Sequence, residues 1–474
     1  MGSGQVTDWQ GTHVTVAGLG VSGLPAAKAL HARGAKVTVV NDGDDARARE
    51  QAAELEALGI TVRLGDGATL PEGTELVVTA PGWKPDKPLF TAARAAGVEI
   101  WGDVELAWRL RGPDAAPWLA VTGTNGKTTT VQMLASILKA AGLRTAAVGN
   151  IGVSLLDAVL GEETYDVLAV ELSSYQLHWA PSLRAHSAAV LNLAPDHLDW
   201  HGSMEAYAAD KGRIYEGNRV ACVYNVADKA TEELVREADV EEGCRAIGFT
   251  LGTPGPSQLG VVDGILVDRA FVENRQKNAQ ELAEVSDVNP PAPHNIANAL
   301  AAAALARAFG VPASAVRDGL RNFTPDAHRI AHVADVDSVA YIDDSKATNT
   351  HAAEASLAAY ESIVWIAGGL AKGATFDELV AKSAKRLRGA VLIGRDRALI
   401  REALARHAPE VPVVDLDRTD TGAMLAAVQE AQALARPGDT VLLAPACASM
   451  DMFANYNKRG DAFAAAVREL GAGA

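Results

Sequence analysis

Residues 118–140 restrict the possible folds more than any other stretch. An apolar run, Trp-Leu-Ala-Val-Thr at 118–122, leads into Gly-Thr-Asn-Gly-Lys-Thr-Thr-Thr at 123–130, and a helical stretch follows at 131–140. Strand, glycine-rich turn and helix in that order bring backbone N–H groups and the positive end of a helix dipole to one phosphate. Gly123 and Gly126 let the loop fold tightly, Lys127 can reach terminal phosphates, and Thr128 can ligate Mg²⁺. Thr124, Asn125 and Thr129 complete a loop expected to hold ATP. The pattern is a variant, because Val121 stands where the usual first glycine falls. A glycine turn with an incidental lysine is the plainer reading; the flanking strand and helix argue against it.

A phosphate loop needs a carboxylate for its metal. Glu171 ends an apolar run, Val-Leu-Ala-Val at 167–170, and could hold Mg²⁺ beside the loop. Another run, Ala-Ala-Val-Leu-Asn at 188–192, leads into Ala-Pro-Asp-His-Leu-Asp-Trp-His at 194–201. Acids and histidines after a strand suit a second metal or a substrate; His197 is the first choice, ahead of Asp199 and His201. Capping of the next helix is the plainer role for several of them.

The N-terminal block has a glycine loop of its own. Gly18-Leu-Gly20-Val21-Ser22-Gly23 follows a β-branched run and precedes a helix at 24–33, with Asp42 about 20 residues on, after a second strand. Alone, this pattern suggests a nicotinamide-dependent oxidoreductase. That reading leaves Lys127, Glu171 and the C-terminal third unexplained. A nucleotide-sugar diphosphate carries the same pyrophosphate, and the second loop argues for ATP chemistry on such a substrate.

The 474 residues predict two to four domains at about 100–200 residues each. Alternating strands and helices divide them into residues 1–114, 115–325 and 326–474, each an α/β unit with a parallel sheet. Strands are expected at 61–64, 76–79, 220–224, 339–342, 363–367, 390–393 and 440–444, with a hairpin around Asp263-Gly264 and an alanine-rich helix at 295–309. Ligands should lie beyond the carboxyl ends of the strands.

At 48% hydrophobic and 22% charged, the chain is not disordered. With 43 Lys+Arg against 59 Asp+Glu, the net charge of −16 excludes a general nucleic-acid-binding field. Cys222, Cys244 and Cys447 form no metal-binding pattern and read as buried inert thiols. Residues 1–10 lack a basic start before an apolar core, and no run of roughly 18 apolar residues occurs. A cytoplasmic protein without membrane insertion is expected.

Taken in order, the motifs resemble those of the Mur ligases of peptidoglycan synthesis. They are Gly-Leu-Gly-Val-Ser-Gly at 18–23, Thr-Gly-Thr-Asn-Gly-Lys-Thr-Thr at 122–129 and Glu-Leu-Ser-Ser-Tyr-Gln-Leu at 171–177. Asp-His-Leu-Asp at 196–199, His-Asn-Ile-Ala-Asn at 294–298, His328-Arg329 and Asp-Ser-Lys-Ala-Thr-Asn at 344–349 follow. The resemblance covers essentially the whole chain. It implies a Rossmann-like N-terminal domain, a central P-loop ATPase-like domain with a parallel or mixed sheet, and a Rossmann-like C-terminal domain. Within the family, Pro-Ala-Cys-Ala-Ser-Met-Asp-Met-Phe at 445–453 and Arg-Gly-Asp-Ala-Phe at 459–463 resemble the D-glutamate-adding branch. Asn125 argues against the L-alanine-adding branch, and the lack of Asp-Asn-Pro-Arg argues against the diamino-acid-adding one. The N-terminal glycine loop argues against a folylpolyglutamate-synthase-like enzyme, and the intact set of Lys127, Glu171, His197 and Lys211 argues against a non-catalytic nucleotide sensor.

The implied activity is ATP-dependent addition of D-glutamate to UDP-N-acetylmuramoyl-L-alanine through an acyl phosphate. The resemblance implies Lys127, His197 and Lys211 as catalytic. Thr128 and Glu171 would hold one Mg²⁺, and His197 with a carbamylated Lys211 a second. Asn295, Asn298, Arg329 and Asp344 match ATP-contacting positions. Gly20, Val21, Ser22, Gly82, Asn150 and Ser173 match positions for the UDP-linked substrate. Thr348 and Lys372 match positions for the α-carboxylate of D-glutamate, and Ser449 and Tyr456 those for its side chain. The family also implies small-molecule partners and a monomer.

Overall fold

The computed structural model describes residues 9–418, 420 and 422–472. The reading of residues 1–10 as lacking a leader lies almost wholly outside them. Twenty strands among the described residues form three sheets. The chain makes two compact units. One holds the residues up to Pro291 together with Asn295–Phe323; the other holds Ala292–His294 and Thr324 onward.

The first sheet contains β1 (His13–Ala17), β2 (Lys36–Asn41), β3 (Thr61–Leu64), β4 (Leu76–Thr79) and β5 (Glu99–Gly102), in the order β3-β2-β1-β4-β5. All pairings are parallel. Strands β1 and β4 are buried at every position, so they read as unbroken apolar runs rather than alternating ones. Strand order reverses at β1 and β4, opening a crevice beyond their carboxyl ends. The turn at 18–23 closes onto helix Gly23–His31, and a Cβ at Gly23 would stand 1.8 Å from the Gly18 carbonyl oxygen. Only glycine fits there.

The second sheet contains β6 (Trp118–Thr122), β7 (Ala147–Gly149), β8 (Leu168–Glu171), β9 (Ser187–Val190), β10 (Ala221–Asn225), β11 (Arg245–Phe249), β12 (Gln258–Val262), β13 (Ile265–Asp268) and β14 (Gln280–Glu284). Their order is β14-β13-β12-β11-β10-β9-β6-β8-β7. The sheet is mixed, not parallel throughout: β13 and β14 run antiparallel to their neighbours. The β12–β13 turn is the expected hairpin, with Asp263 and Gly264 both at positive φ, which suits the twist of a two-residue turn. Helix Pro293–Ala308 is alanine-rich because Ala299–Ala306 is buried along its whole length, leaving room only for small side chains and two leucines.

Both sheets belong to the first unit. Gly102 N donates to Trp179 O at 2.8 Å, and Ser182 N donates to Glu105 Oε2 at 2.9 Å. Glu105 is fully buried and also takes the Arg109 guanidinium at 2.8 Å. A buried carboxylate needs such partners. Cys222 and Cys447 are buried and Cys244 half-buried, all as free thiols, with the Cys222 and Cys244 sulfurs 3.8 Å apart.

The second unit is built on β15 (Ala331–Val336), β16 (Val339–Asp343), β17 (Ile363–Gly368), β18 (Leu387–Ile393), β19 (Val413–Asp415) and β20 (Thr440–Leu443). Their order is β15-β16-β20-β17-β18-β19. Edge strand β15 is antiparallel to β16, another departure from an all-parallel sheet, because Asp337 and Ser338 turn the chain directly back at positive φ. Among the described residues no helix is long and apolar enough to cross a membrane.

Candidate active site

The phosphate loop lies where the sequence places it. Strand β6 ends at Thr122, and helix Lys127–Ala140 starts from Gly126, which is left-handed at φ 84°. A Cβ on Gly126 would lie 2.4 Å from Asn298 Oδ1, so Asn298 packs directly on the loop. Asn295 lies one turn earlier on that helix, and Asn298 Nδ2 donates to its Oδ1 at 3.4 Å. Lys127 Nζ donates to Gly123 O at 2.8 Å and Thr124 O at 2.9 Å. Thr124 Oγ1 meets Tyr207 Oη at 3.0 Å. Asn125 is tied twice to Asn192: its N donates to Asn192 Oδ1 at 2.9 Å, and Asn192 Nδ2 donates to its O at 3.1 Å. Thr128 and Thr129 occupy the first helical turn, where N–H groups lack helical partners and face an anion readily.

Strands β9, β6, β8 and β7 are successive neighbours, so their carboxyl ends gather the other candidates around this loop. Glu171 ends β8 and is buried. Its Oε1 accepts from Asn150 Nδ2 at 3.1 Å, while Oε2 has no hydrogen-bond partner. A buried, unpartnered carboxylate oxygen beside a phosphate loop suits a hard cation. Mg²⁺ takes one or two protein ligands together with phosphate and water oxygens. Ser173 follows Glu171 closely and caps helix Ser174–His178.

His197 sits in the loop after β9 at φ 53°, a strained conformation for a non-glycine residue. Its ring packs on Tyr175 at 4.9 Å. Its side chain is 45% exposed; partial desolvation lowers its pKa, Asp196 opposes, and Lys127 and Lys211 add to the lowering, which favours the neutral ring. Lys211 lies on helix Met204–Gly212 and is almost wholly buried. Its Nζ donates to Gly123 O at 2.9 Å and Thr122 Oγ1 at 3.3 Å. Burial drives its pKa well below that of an ordinary lysine, the Lys127 charge pushes the same way, and Asp196 and Glu171 oppose. The other two candidates after β9 differ in surroundings. Asp199 is exposed, and its carbonyl accepts from Lys84 Nζ at 2.7 Å. His201 has a fully buried side chain.

At the N-terminal crevice, Gly20, Val21 and Ser22 form the turn after β1, and Gly82 lies just past β4. Val21 is 79% exposed, which leaves the turn open to a ligand. Ser22 Oγ donates to the half-buried Asp103 at 2.9 Å. Gly82 O accepts from Trp200 Nε1 at 3.3 Å.

In the second unit, the candidates lie on three loops beyond adjacent strands β16, β20 and β17. Thr348 follows β16, Lys372 follows β17 and Ser449 follows β20. The loops are stitched together: Ala446 N donates to Ala347 O at 2.9 Å, and Leu370 and Ala448 exchange both backbone bonds at 2.9 Å. The buried Arg459 guanidinium donates to Ser345 O and to Cys447 O, fastening the first loop to the third. Tyr456 opens helix Tyr456–Ala472, with Lys346 Nζ 4.1 Å above its ring. Asp344 is buried, accepts from Ile330 N and Ser356 Oγ, and has its carboxyl pushed up to about 6 by burial. Arg329 Nε lies 3.9 Å from Asp326.

The chain is 89% identical over 467 residues to UDP-N-acetylmuramoylalanine--D-glutamate ligase of Streptomyces avermitilis, covering 98% of this chain and all of that one. The same-named protein of Thermobifida fusca is 60% identical, over 97% of this chain and 99% of its own. The chain belongs to the Mur ligase family. Residues 12–102 match the Mur ligase MurD-like N-terminal domain, 121–306 the Mur ligase middle domain, and 328–447 the Mur ligase glutamate ligase domain. The fold resembles that of MurC from Thermotoga maritima, with a TM-score of 0.55, 19% identity, and coverage of 97% of this chain and 99% of that one. MurF from the same organism, solved with ADP, gives 0.57 at 16% identity, covering 98% and 97%.

Sequence reasoning about this Mur ligase family member overlooked Asn192, Tyr207, Asp210 and His178. Tyr207 and Asn192 hold Thr124 and Asn125 across 83 and 67 positions of chain, Asp210 holds His201 across 9, and His178 reaches Asp210 across 32; no local motif signals such pairs.

Proposed function

We propose that this chain joins D-glutamate to UDP-N-acetylmuramoyl-L-alanine at the expense of ATP, in cytoplasmic synthesis of peptidoglycan precursors. The observation that carries the reading is the convergence of Lys127, Glu171, His197 and Lys211 on one phosphate loop. The 89% identity, over 98% of the chain, to ligases of that name supports the choice of substrates.

Residues 1–114 take the UDP-linked substrate, with its pyrophosphate at Gly20, Val21, Ser22 and Gly82. Residues 115–325 take ATP, and residues 326–474 take D-glutamate. The ATP γ-phosphoryl group passes to the substrate carboxylate, giving an acyl phosphate and ADP. The amine of D-glutamate attacks the acyl carbon, and collapse of the tetrahedral adduct expels phosphate and leaves an amide. Phosphoryl transfer needs positioning and charge neutralisation more than covalent help. Lys127 turns its ammonium from the Gly123 and Thr124 carbonyls to the phosphates. Asn295, Asn298, Arg329 and Asp344 hold the remainder of the nucleotide. Asn150 and Ser173 orient the muramoyl end. Thr348 and Lys372 bind the α-carboxylate of D-glutamate, and Ser449 and Tyr456 its side chain.

Two Mg²⁺ ions fit the donor set, one held by Thr128 and Glu171, the other by His197 and carbamylated Lys211; bound there, they neutralise phosphate charge. Carbamylation requires a neutral amine, and the buried environment of Lys211 favours that form. The amine nitrogen adds to CO2, loses a proton and becomes an anionic ligand. The protein acts as a monomer.

The test is phosphate release from ATP and Mg²⁺ with UDP-N-acetylmuramoyl-L-alanine, comparing D-glutamate with L-glutamate, L-alanine and diaminopimelate. Release that depends on D-glutamate, with the matching mass gain in the UDP product, is expected. Release with another amino acid refutes the substrate assignment, and none with any of them refutes the ligase.

A further inference from the structure

Asp210 precedes Lys211 on helix Met204–Gly212, about 100° round the helix, and meets different partners. Lys211 reaches the phosphate loop, while Asp210 meets two histidines from two other segments. His178, at the end of helix Ser174–His178, places Nδ1 2.9 Å from both Asp210 oxygens. His201, at the end of helix Leu198–His201, places Nδ1 2.9 Å from Oδ2. Arg213 Nε stands 3.1 Å from Oδ1. The far ring nitrogen of His201 is 2.9 Å from Ser174 Oγ. A carboxylate only accepts, so each nitrogen facing it donates.

These bonds join three segments, each carrying one residue of the proposed site. Ser173 caps the first, His197 opens the second, and Lys211 lies on the third. No other described residue bonds to side chains of both neighbouring segments and shares an element with Lys211.

Ser174, His201 and Asp210 stand in the order of a serine hydrolase triad. Burial argues against that use: Ser174 is 2% exposed and the His201 side chain is wholly enclosed, so no acyl group reaches the hydroxyl. The connection holds the segments rather than reacting.

We propose that Asp210 is a positioning residue for the ligation: through His178 and His201 it fixes Ser173, His197 and Lys211 relative to one another. The proposal rests on the functional reading above. A carboxylate is required because two imidazole N–H groups and a guanidinium converge on it. Asn at this position keeps the shape but removes the charge, and a ring nitrogen that faces its N–H₂ stays bonded only by giving up its own proton, so the links weaken.

Hydrogen exchange on the full-length protein tests this without reference to activity. Asp210→Asn is expected to raise exchange about tenfold together in residues 173–178, 197–201 and 204–212, leaving β17 unchanged. In the phosphate-release assay, half-saturation by Mg²⁺ is expected to rise about tenfold, with kcat at saturating Mg²⁺ within threefold of wild type and KM for D-glutamate unchanged. Faster exchange confined to 204–212, or none, overturns the proposal. So does activity lost equally at every Mg²⁺ concentration. Should Asp210→Asn fail to fold, His178→Phe keeps the ring and removes one donor, and the same measurements decide. Wild type inactive with D-glutamate refutes the functional reading, and the exchange pattern still judges the brace.

Discussion

Replacing Asp344 by Asn should stabilise the second unit, by an amount set by pH. Asp344 lies just past β16 and is buried. Burial raises its carboxyl from 3.8 to about 6, despite opposing bonds from Ser356 and Ile330 and the Arg329 charge. The folded chain therefore holds this proton more tightly than the unfolded chain does. The resulting stability is fully present below about 4 and disappears as pH rises through about 6. At about 1.4 kcal/mol per pH unit, the carboxylate costs about 3 kcal/mol at pH 8. An Asn side chain accepts from Ile330 N and donates to the Ser356 hydroxyl without carrying charge. Native-state hydrogen exchange of β17, all six residues of which are buried, reports on this unit within the whole chain. Asp344→Asn is expected to exceed wild type by about 3 kcal/mol at pH 8 and to approach it near pH 4. A difference that does not vary with pH, or a variant less stable at pH 8, would refute the argument.

Three further outcomes are expected around the phosphate loop. Lys127→Ala should cut D-glutamate-dependent phosphate release about 10³-fold or more while thermal unfolding stays near wild type, because charge on the transferred phosphoryl group goes unneutralised. Glu171→Gln should raise the Mg²⁺ concentration needed for half-maximal rate, yet leave Tm equal or higher, since its buried Oε2 has no hydrogen-bond partner to lose. Gly126→Ala should cost about 1–3 kcal/mol by urea unfolding, from the positive φ and the 2.4 Å contact with Asn298 Oδ1. Adding Asn298→Ala should recover only the contact's share.

The parts of the site legible in the sequence are those in which chemistry and geometry lie within a few residues. The turn at 123–128 needs its own glycines and its own lysine, and the turn at 18–23 needs Gly23 against Gly18; both patterns are local. The hairpin at Asp263-Gly264 was legible for the same reason. Strands β14 and β15 were not. Gln-Glu-Leu-Ala-Glu is largely exposed and polar, Ala-His-Val-Ala-Asp-Val is mostly half-buried with no regular alternation, and only their partners hold them as strands. His201 ranked behind His197 in the sequence, yet it is the more deeply buried, because its partners Ser174 and Asp210 lie 27 and 9 positions away. Lys211 carried no local signal at all. Ala-Ala-Asp-Lys-Gly-Arg reads as a helix surface, and only the tertiary fold brings that lysine beneath the Gly123 carbonyl.

The doubled bond from the Asn192 side chain to the Asn125 backbone makes one position the keeper of a loop 67 residues away. Both bonds use the backbone N and O of residue 125, so a new side chain there leaves the clasp whole, whereas a change at 192 releases the loop that cradles the phosphates. A lineage that loses Asn192 must remake the strand end that carries it. The loop's shape is thus held by a residue outside it, and that dependence narrows the routes by which such a ligase could drift toward a different phosphate grip.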